Sequence, residues 1–172
     1  MTLQDIKKLD TVTSERLRVH DGNRVWKALA AVMAHSGDLW VLLPLLGLIW
    51  LLEKGAWRRF ALVQAAFIFV MAAAVFLIKY SIRRRRPDGE FGSLYRLLDP
   101  HSFPSGHAAR AVGMAVLAAP VVPGWAIPLL AVWVFGVGIS RVALRLHYVL
   151  DILAGYGMGT AVSVAILGFS AL

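Results

Sequence analysis

Three short polar clusters interrupt an otherwise apolar chain, and their residue types suit phosphoryl transfer. The first holds Lys79, Arg86 and Pro87, the second is Pro104-Ser105-Gly106-His107, and the third holds Ser140, Arg141, His147 and Asp151. Lys79, Arg86 and Arg141 carry charge that can neutralise phosphoryl oxygens as a transition state develops. Ser105 precedes an apolar run and reads as a helix N-cap, so the amides behind it and the helix dipole make an anion site. If residues 147 to 151 are helical, His147 and Asp151 share one face. The carboxylate then accepts the Nδ1–H and leaves the Nε2 lone pair as a nucleophile or base. One histidine backed in this way can attack phosphorus while the other protonates the leaving oxygen, which divides hydrolysis into formation and breakdown of a phosphohistidine. The scheme asks for no metal, because the three cations supply the charge that magnesium would otherwise bring.

Each cluster also has an ordinary structural reading. Arg83, Arg84 and Arg85 read as a juxtamembrane basic cluster that orients the chain or touches anionic lipid, and Lys79 as a stem that snorkels to the interface. Pro104 to His107 could be a plain capped helix start, and His147 with Asp151 a buried pair joining two spans. Their joint occurrence at the ends of apolar runs favours a site. His20, His35 and His101 are scattered without metal-ligand spacing and read as interface or loop residues, His101 being close enough to shape substrate access. No metal site or cofactor is expected.

The elements that must hold these groups are membrane helices. The 172-residue chain is 59% hydrophobic and 16% charged, against about 25% charged in soluble domains, and its mean hydropathy is +0.68. It has no cysteine, which removes disulfides, thiolate zinc and a cysteine nucleophile, and its net charge of +8 fits a lipid surface or a phosphorylated substrate better than nucleic acid. Apolar runs near 39 to 52, 60 to 80, 106 to 122, 123 to 140 and 148 to 170 predict five spans. The first is short, contains Pro44 and borrows from Ala34 to Asp38. Residues 1–35 read as an amphipathic interfacial arm, with Leu3, Ile6, Leu9, Leu17, Val25 and Trp26 among Lys7, Lys8, Arg16, Arg18, Arg24 and Lys27, interrupted at Gly22-Asn23. The expected fold is therefore an all-α membrane bundle in a single domain, with 36–172 as its core and 83–104 as a long active-site loop. Simple alternation puts that loop, the N-terminal arm and the turn 141 to 148 on one side, and the connections 53 to 59 and 120 to 124 on the other. Gly155 with Gly159, and Gly136 with Gly138, read as close helix contacts. Trp26, Trp40, Trp50, Trp57, Trp125 and Trp133 read as an interfacial belt.

Taken in order, K-x6-R-P (Lys79, Arg86, Pro87), P-S-G-H (Pro104 to His107) and S-R-x5-H-x3-D (Ser140, Arg141, His147, Asp151) resemble the type 2 phosphatidic acid phosphatase superfamily. The resemblance spans Lys79 to Asp151 and all three motifs are complete. It implies that Lys79, Arg86, Ser105, Gly106 and Arg141 bind phosphate, that His107 is the general acid, that His147 is the nucleophile and that Asp151 orients it. The superfamily typically has a six-helix core, from which the polar first segment departs. It also includes soluble vanadium-dependent haloperoxidases, a branch disfavoured by five apolar spans. The stretches Tyr80 to Pro87 and Phe103 to Ala111 look more like small polyisoprenyl phosphate or diphosphate phosphatases than the larger phosphatidate enzymes.

The expectation is an integral membrane lipid phosphatase resembling bacterial members and sited in the inner membrane, with the bilayer and a lipid phosphate as its partners. Polyisoprenyl phosphate or diphosphate comes first; phosphatidylglycerol phosphate, phosphatidate, a lipid A phosphate or a polyprenyl phosphosugar are alternatives. A competing class is a lipid-binding or transport protein that keeps the pocket without turnover. The excess of Lys and Arg on the face bearing the site points to the cytoplasm. The sequence leaves the oligomeric state open.

Overall fold

A computed structural model describes residues 2–19, 23–89 and 99–170; His20, Gly22 and the middle of the loop 83–104 lie outside the described residues. Among those described, the chain is helical and has no strand. The helices are α1 (Leu3–Arg16), α2 (Arg24–His35), α3 (Leu39–Leu52), α4 (Gly55–Ile82), α5 (Gly106–Ala118), α6 (Ala126–Ala143) and α7 (Val149–Ser170). The chain runs back and forth so that the end of α4, the start of α5, the end of α6 and the start of α7 meet at one end of the bundle.

α4, α6 and α7 are each long and apolar enough to cross a bilayer, and α2 with α3 passes the same test as a pair bent by 52°. The bend falls at Ser36-Gly37-Asp38, inside the stretch expected to lengthen the first span. α5 is shorter than the apolar run over 106 to 122. It has 13 residues, about 20 Å of helix against a hydrocarbon core of about 30 Å. Ten of those residues are buried among the other helices. α4 begins at Gly55, which places Arg58 and Arg59 on a helix and shortens the expected connection 53 to 59 to Glu53 and Lys54.

Lipid offers no hydrophobic drive between helices, so small residues that let backbones approach carry the packing. α5 and α7 share the most extensive contact in the bundle. A Cβ on Gly155 would stand 2.5 Å from the Ser105 carbonyl oxygen, and one on Gly159 2.1 Å from that of Ala109. Gly136 lies under Met33 of α2, and Gly138 under the Tyr156 hydroxyl. All four glycines are thus close-approach positions, as the sequence predicts. Phe67, Ile68, Met71 and Val75 of α4 pack with Leu42 and Leu46 of α3 and with Ala109, Met114 and Leu117 of α5. The opposite face of α4, with Leu62, Phe69, Phe76 and Leu77, is exposed, as a lipid-facing surface requires.

The N-terminal arm is two helices with different attachments. Thr2 and Asp5 close a capping box on α1, and the Asn23 side chain caps α2 by accepting from Trp26 N–H at 3.1 Å. α2 packs on α6, with Ala34 fully buried beside Leu144 and Leu146. α1 docks through polar groups that the amphipathic reading did not use. Its Asp10 accepts from Leu150 N–H at 3.0 Å and its Ser14 hydroxyl accepts from Val149 N–H at 3.0 Å, so α1 caps the start of α7 from outside. The other Asp10 oxygen takes Arg84 at 2.6 Å, and Arg84 reaches Asp151 at 2.8 Å. Arg84 is therefore a bridge between two carboxylates and not a free member of a basic cluster. Asp10→Ala strands a buried amide and half of this bridge and is expected to cost about 1–3 kcal/mol, read as a lower unfolding temperature in detergent. An unchanged transition would show that α1 does not hold α7.

Candidate active site

Lys79 lies in the last turn of α4, where its stem is buried and its ammonium donates to the Asp99 carboxylate and, at 2.9 Å, to the His101 carbonyl. α4 ends at Arg83, whose backbone is left-handed at φ 52°. That turn sends Arg84 and Arg86 back over the bundle end. Arg86 donates to the Asp99 carbonyl at 2.8 Å, to the Asp99 carboxylate at 2.9 Å and to the Leu146 carbonyl at 2.6 Å. Its Nη1 also lies 3.1 Å from His147 Nε2. A guanidinium can only donate, so Nε2 is an acceptor and the neutral ring carries its proton on Nδ1.

His147 sits in the turn after α6, one residue before Tyr148 and the first turn of α7, so the conditional helix over 147 to 151 is replaced by a turn and a helix start. The expected partners remain neighbours, with Asp151 Oδ2 in that first turn 3.5 Å from His147 Nδ1, a separation longer than a good hydrogen bond. Asp151 is itself fixed by Arg84 on one oxygen and by Tyr148 N–H at 2.9 Å on the other. Burial, and then the charges of Arg86, Arg141 and Lys79, hold the His147 imidazole well below its ordinary pKa of 6.5. The ring is therefore neutral, with its lone pair turned toward a cation.

Ser105 caps α5 by accepting from Ala108 N–H, and its own N–H donates to the Asp151 carbonyl at 2.9 Å. The starts of α5 and α7 are thereby locked together. Lys79, Asp99, Gly106, His107, Arg110 and His147 line one cavity of about 220 Å³, with Ala72, Val75 and Phe76 as an apolar wall. Arg141 is almost fully buried, and its charge acts on both histidines and on Lys79. Every predicted site residue is at this bundle end. Gly106 and the histidines line the cavity, the buried Arg86 and Arg141 act on His147, and Ser105 and Asp151 join the two helix starts.

Sequence reasoning missed three charged residues. Asp99 joins Lys79 and Arg86, placing a carboxylate on the cation pair that would receive phosphate. Arg110 follows His107 by one helical turn, a lone arginine inside an apolar run. Asp38, at the bend between α2 and α3, brings Oδ1 to 2.5 Å from His107 Nε2, while its Oδ2 takes His35 Nδ1 at 2.7 Å and Trp40 Nε1 at 2.9 Å. Asp38 and Arg110 were legible by the rule used for the other clusters, since an ionisable residue within or at the end of an apolar span is a functional candidate. His35 thus belongs to the site's periphery and not to the scattered histidines. His101 contributes its carbonyl to Lys79 and stacks edge-on to Tyr80 at 5.3 Å. Trp133 donates to Ser36 at 2.9 Å, so two of the six tryptophans hold the bend in addition to any role in an interfacial belt.

Comparison with known proteins gives the same picture. The sequence profile of the PAP2 superfamily matches residues 60–171. The decaprenylphosphoryl-5-phosphoribose phosphatase of Mycobacterium tuberculosis is 35% identical over 140 residues, covering 78% of this chain and 75% of that protein. The Mycolicibacterium smegmatis protein of the same name is 34% identical over 134 residues, covering 75% and 68%. In fold, the chain matches a transmembrane PAP2-type phosphatidylglycerolphosphate phosphatase from Bacillus subtilis with a TM-score of 0.83 at 24% identity, covering 97% of this chain and 87% of that one. It matches Aquifex aeolicus LpxE at 0.76 and 20% identity, covering 93% and 95%. With its three motifs gathered at one end of a membrane helical bundle, the chain belongs to the PAP2 superfamily.

Proposed function

We propose that this membrane phosphatase removes a phosphomonoester from a polyprenyl-linked lipid, with the phosphate of a polyprenyl phosphosugar as the first substrate to try, through a phosphohistidine on His147. The observation that carries the mechanism is the neutral His147, whose Nε2 faces Arg86 in a cavity shared with Lys79 and His107. The named activity of the mycobacterial relatives supports the substrate class and moves the phosphosugar ahead of the diphosphate. The apolar wall of Ala72, Val75 and Phe76 supports a lipid whose tail stays in the bilayer.

In the resting site Asp99 occupies Lys79 and Arg86. An incoming phosphate takes over both cations, and Arg86 swings from Nε2 to a phosphoryl oxygen. The freed lone pair attacks phosphorus, the bond to the leaving oxygen breaks, and His107 delivers a proton to that oxygen. Lys79, Arg86 and Arg141 neutralise the charge on the transferring group. Water then attacks the phosphohistidine and gives its proton to His107, the P–N bond breaks, and His147 recovers its lone pair as phosphate leaves. Asp151 holds the ring in the Nδ1–H form and stabilises the positive charge it acquires on attack. No metal enters these steps.

We place the whole chain in one domain, α1 at the membrane interface and the protein in a bacterial inner membrane. The concentration of Lys and Arg on the site's side supports a cytoplasmic active site.

Phosphate release from a phosphorylated polyprenyl phosphosugar by detergent-purified protein is expected to persist in EDTA and to fall by about 10³-fold or more in His147→Ala. In a panel with polyprenyl diphosphate, phosphatidylglycerol phosphate, phosphatidate and lipid A phosphate, the phosphosugar is expected to give the highest kcat/KM; another lipid ahead of it would reassign the substrate. Because the His147 pKa is depressed, the nucleophile stays unprotonated as pH falls, and the acid limb of kcat/KM is expected below pH 6.5. For sidedness, Arg85 offers a side chain 87% exposed. Arg85→Cys is expected to resist an impermeant thiol reagent on intact cells, and labelling from outside would move the site to the other face.

A further inference from the structure

The His–Asp pair expected from the sequence has a counterpart on the other histidine. Asp38 sits at the N-cap position of α3 in extended backbone, yet its side chain makes no cap hydrogen bond to that helix. Its carboxylate is turned instead toward three ring nitrogens. Oδ1 meets His107 Nε2 at 2.5 Å, and Oδ2 meets His35 Nδ1 at 2.7 Å and Trp40 Nε1 at 2.9 Å. Asp38 is only 3% exposed. Capping α3 therefore does not explain a buried carboxylate here.

We propose that Asp38 is a positioning residue for His107, supplying the counter-charge its imidazolium needs and aiming the ring so that it can release the leaving group; this rests on the phosphohistidine reading above. The charge balance around the ring is the reason. Burial, and then the charges of Arg141 of α6 and Arg110 of α5, act against a charged His107, and Lys79, Asp99 and His147 share its cavity. In a buried site those cations disfavour an imidazolium, and an imidazole without its second proton cannot act as an acid. One carboxylate in direct contact works against that repulsion. His35 and Trp40 hold the carboxylate in place, and the 52° bend between α2 and α3 brings it to the ring.

The step balances without any further reagent. His147 Nε2 bonds to phosphorus as the bond to the leaving oxygen breaks; the proton goes from the His107 imidazolium to that oxygen, leaving His107 neutral beside an ionised Asp38. Hydrolysis of the phosphohistidine returns a proton from water to His107. Asp38 keeps its charge throughout.

The dependence on leaving group separates this role from a structural one. An alkyl leaving group needs the proton, whereas p-nitrophenolate departs without it, and kcat/KM reports only the steps up to that departure. Asp38→Asn is expected to lower kcat/KM by about 10²-fold or more on a lipid phosphomonoester and by less than about threefold on p-nitrophenyl phosphate. His107→Ala is expected to share that selectivity, and Asp38→Glu to recover part of the lipid activity. Equal losses on both substrates in Asp38→Asn, or no loss on either, would overturn the proposal while leaving the phosphatase reading intact. Absence of wild-type turnover on both substrates would overturn the two together. If Asp38→Asn does not fold, Asp38→Glu alone decides, because a retained preference for the activated ester is expected and a uniform loss contradicts it.

Discussion

Positive charge crowded into a buried bundle end is the constraint that the rest of this structure answers. Lys79, Arg86, Arg110 and Arg141 lie around two histidines where little water can screen them, and an uncompensated charge in such a place costs several kcal/mol. Nearby carboxylates answer part of that charge. Asp99 serves Lys79 and Arg86, Asp151 and Asp10 serve Arg84, Asp151 also backs His147, and Asp38 backs His107. A phosphate can replace only the carboxylate that lies on the binding cations. Asp99, the most exposed of these acids at 39%, is the one placed to yield, whereas Asp10, Asp38 and Asp151 are buried supports.

The fold follows from holding that charge cluster in register. Two helix starts must stand side by side, one offering its dipole and His107, the other following His147 and carrying Asp151. Gly155 and Gly159 let α7 lie against the Ser105–Ala109 turn of α5, and the Ser105 N–H bonds to the Asp151 carbonyl. α1 then closes the assembly by supplying Asp10 and Ser14 to amides that the first turn of α7 cannot satisfy itself. A segment whose composition reads as a membrane-surface helix thus has a second task on its inner face.

The motifs were legible because their chemistry is local. Ser105 as a cap, the four-residue spacing of His147 and Asp151, and the cations at span ends can each be read from a few consecutive residues. Helix periodicity and apolar runs likewise gave an all-α membrane bundle. What escaped depends on contacts across the chain. Asp10, Arg84 and Asp151 are joined only after α1 folds back on α7, and Asp38 meets His107 only because α2 and α3 bend. The run over 106 to 122 reads as apolar whether protein or lipid buries it, and the length of its helix, 13 residues, is not fixed by composition. Arg58 and Arg59 read as a loop from their charge, whereas α4 starts at Gly55 and keeps both on its first turns.

The central claim is that His147 carries the phosphoryl group between substrate and water. Its most direct test is rapid acid-free quenching of the protein with a phosphate-labelled lipid substrate, followed by mapping of the labelled site. The account predicts a label that survives alkali, is lost in acid and maps to His147, and that is absent in His147→Ala while lipid binding remains. Turnover with no such label at any time point, or a label on another residue, would contradict it.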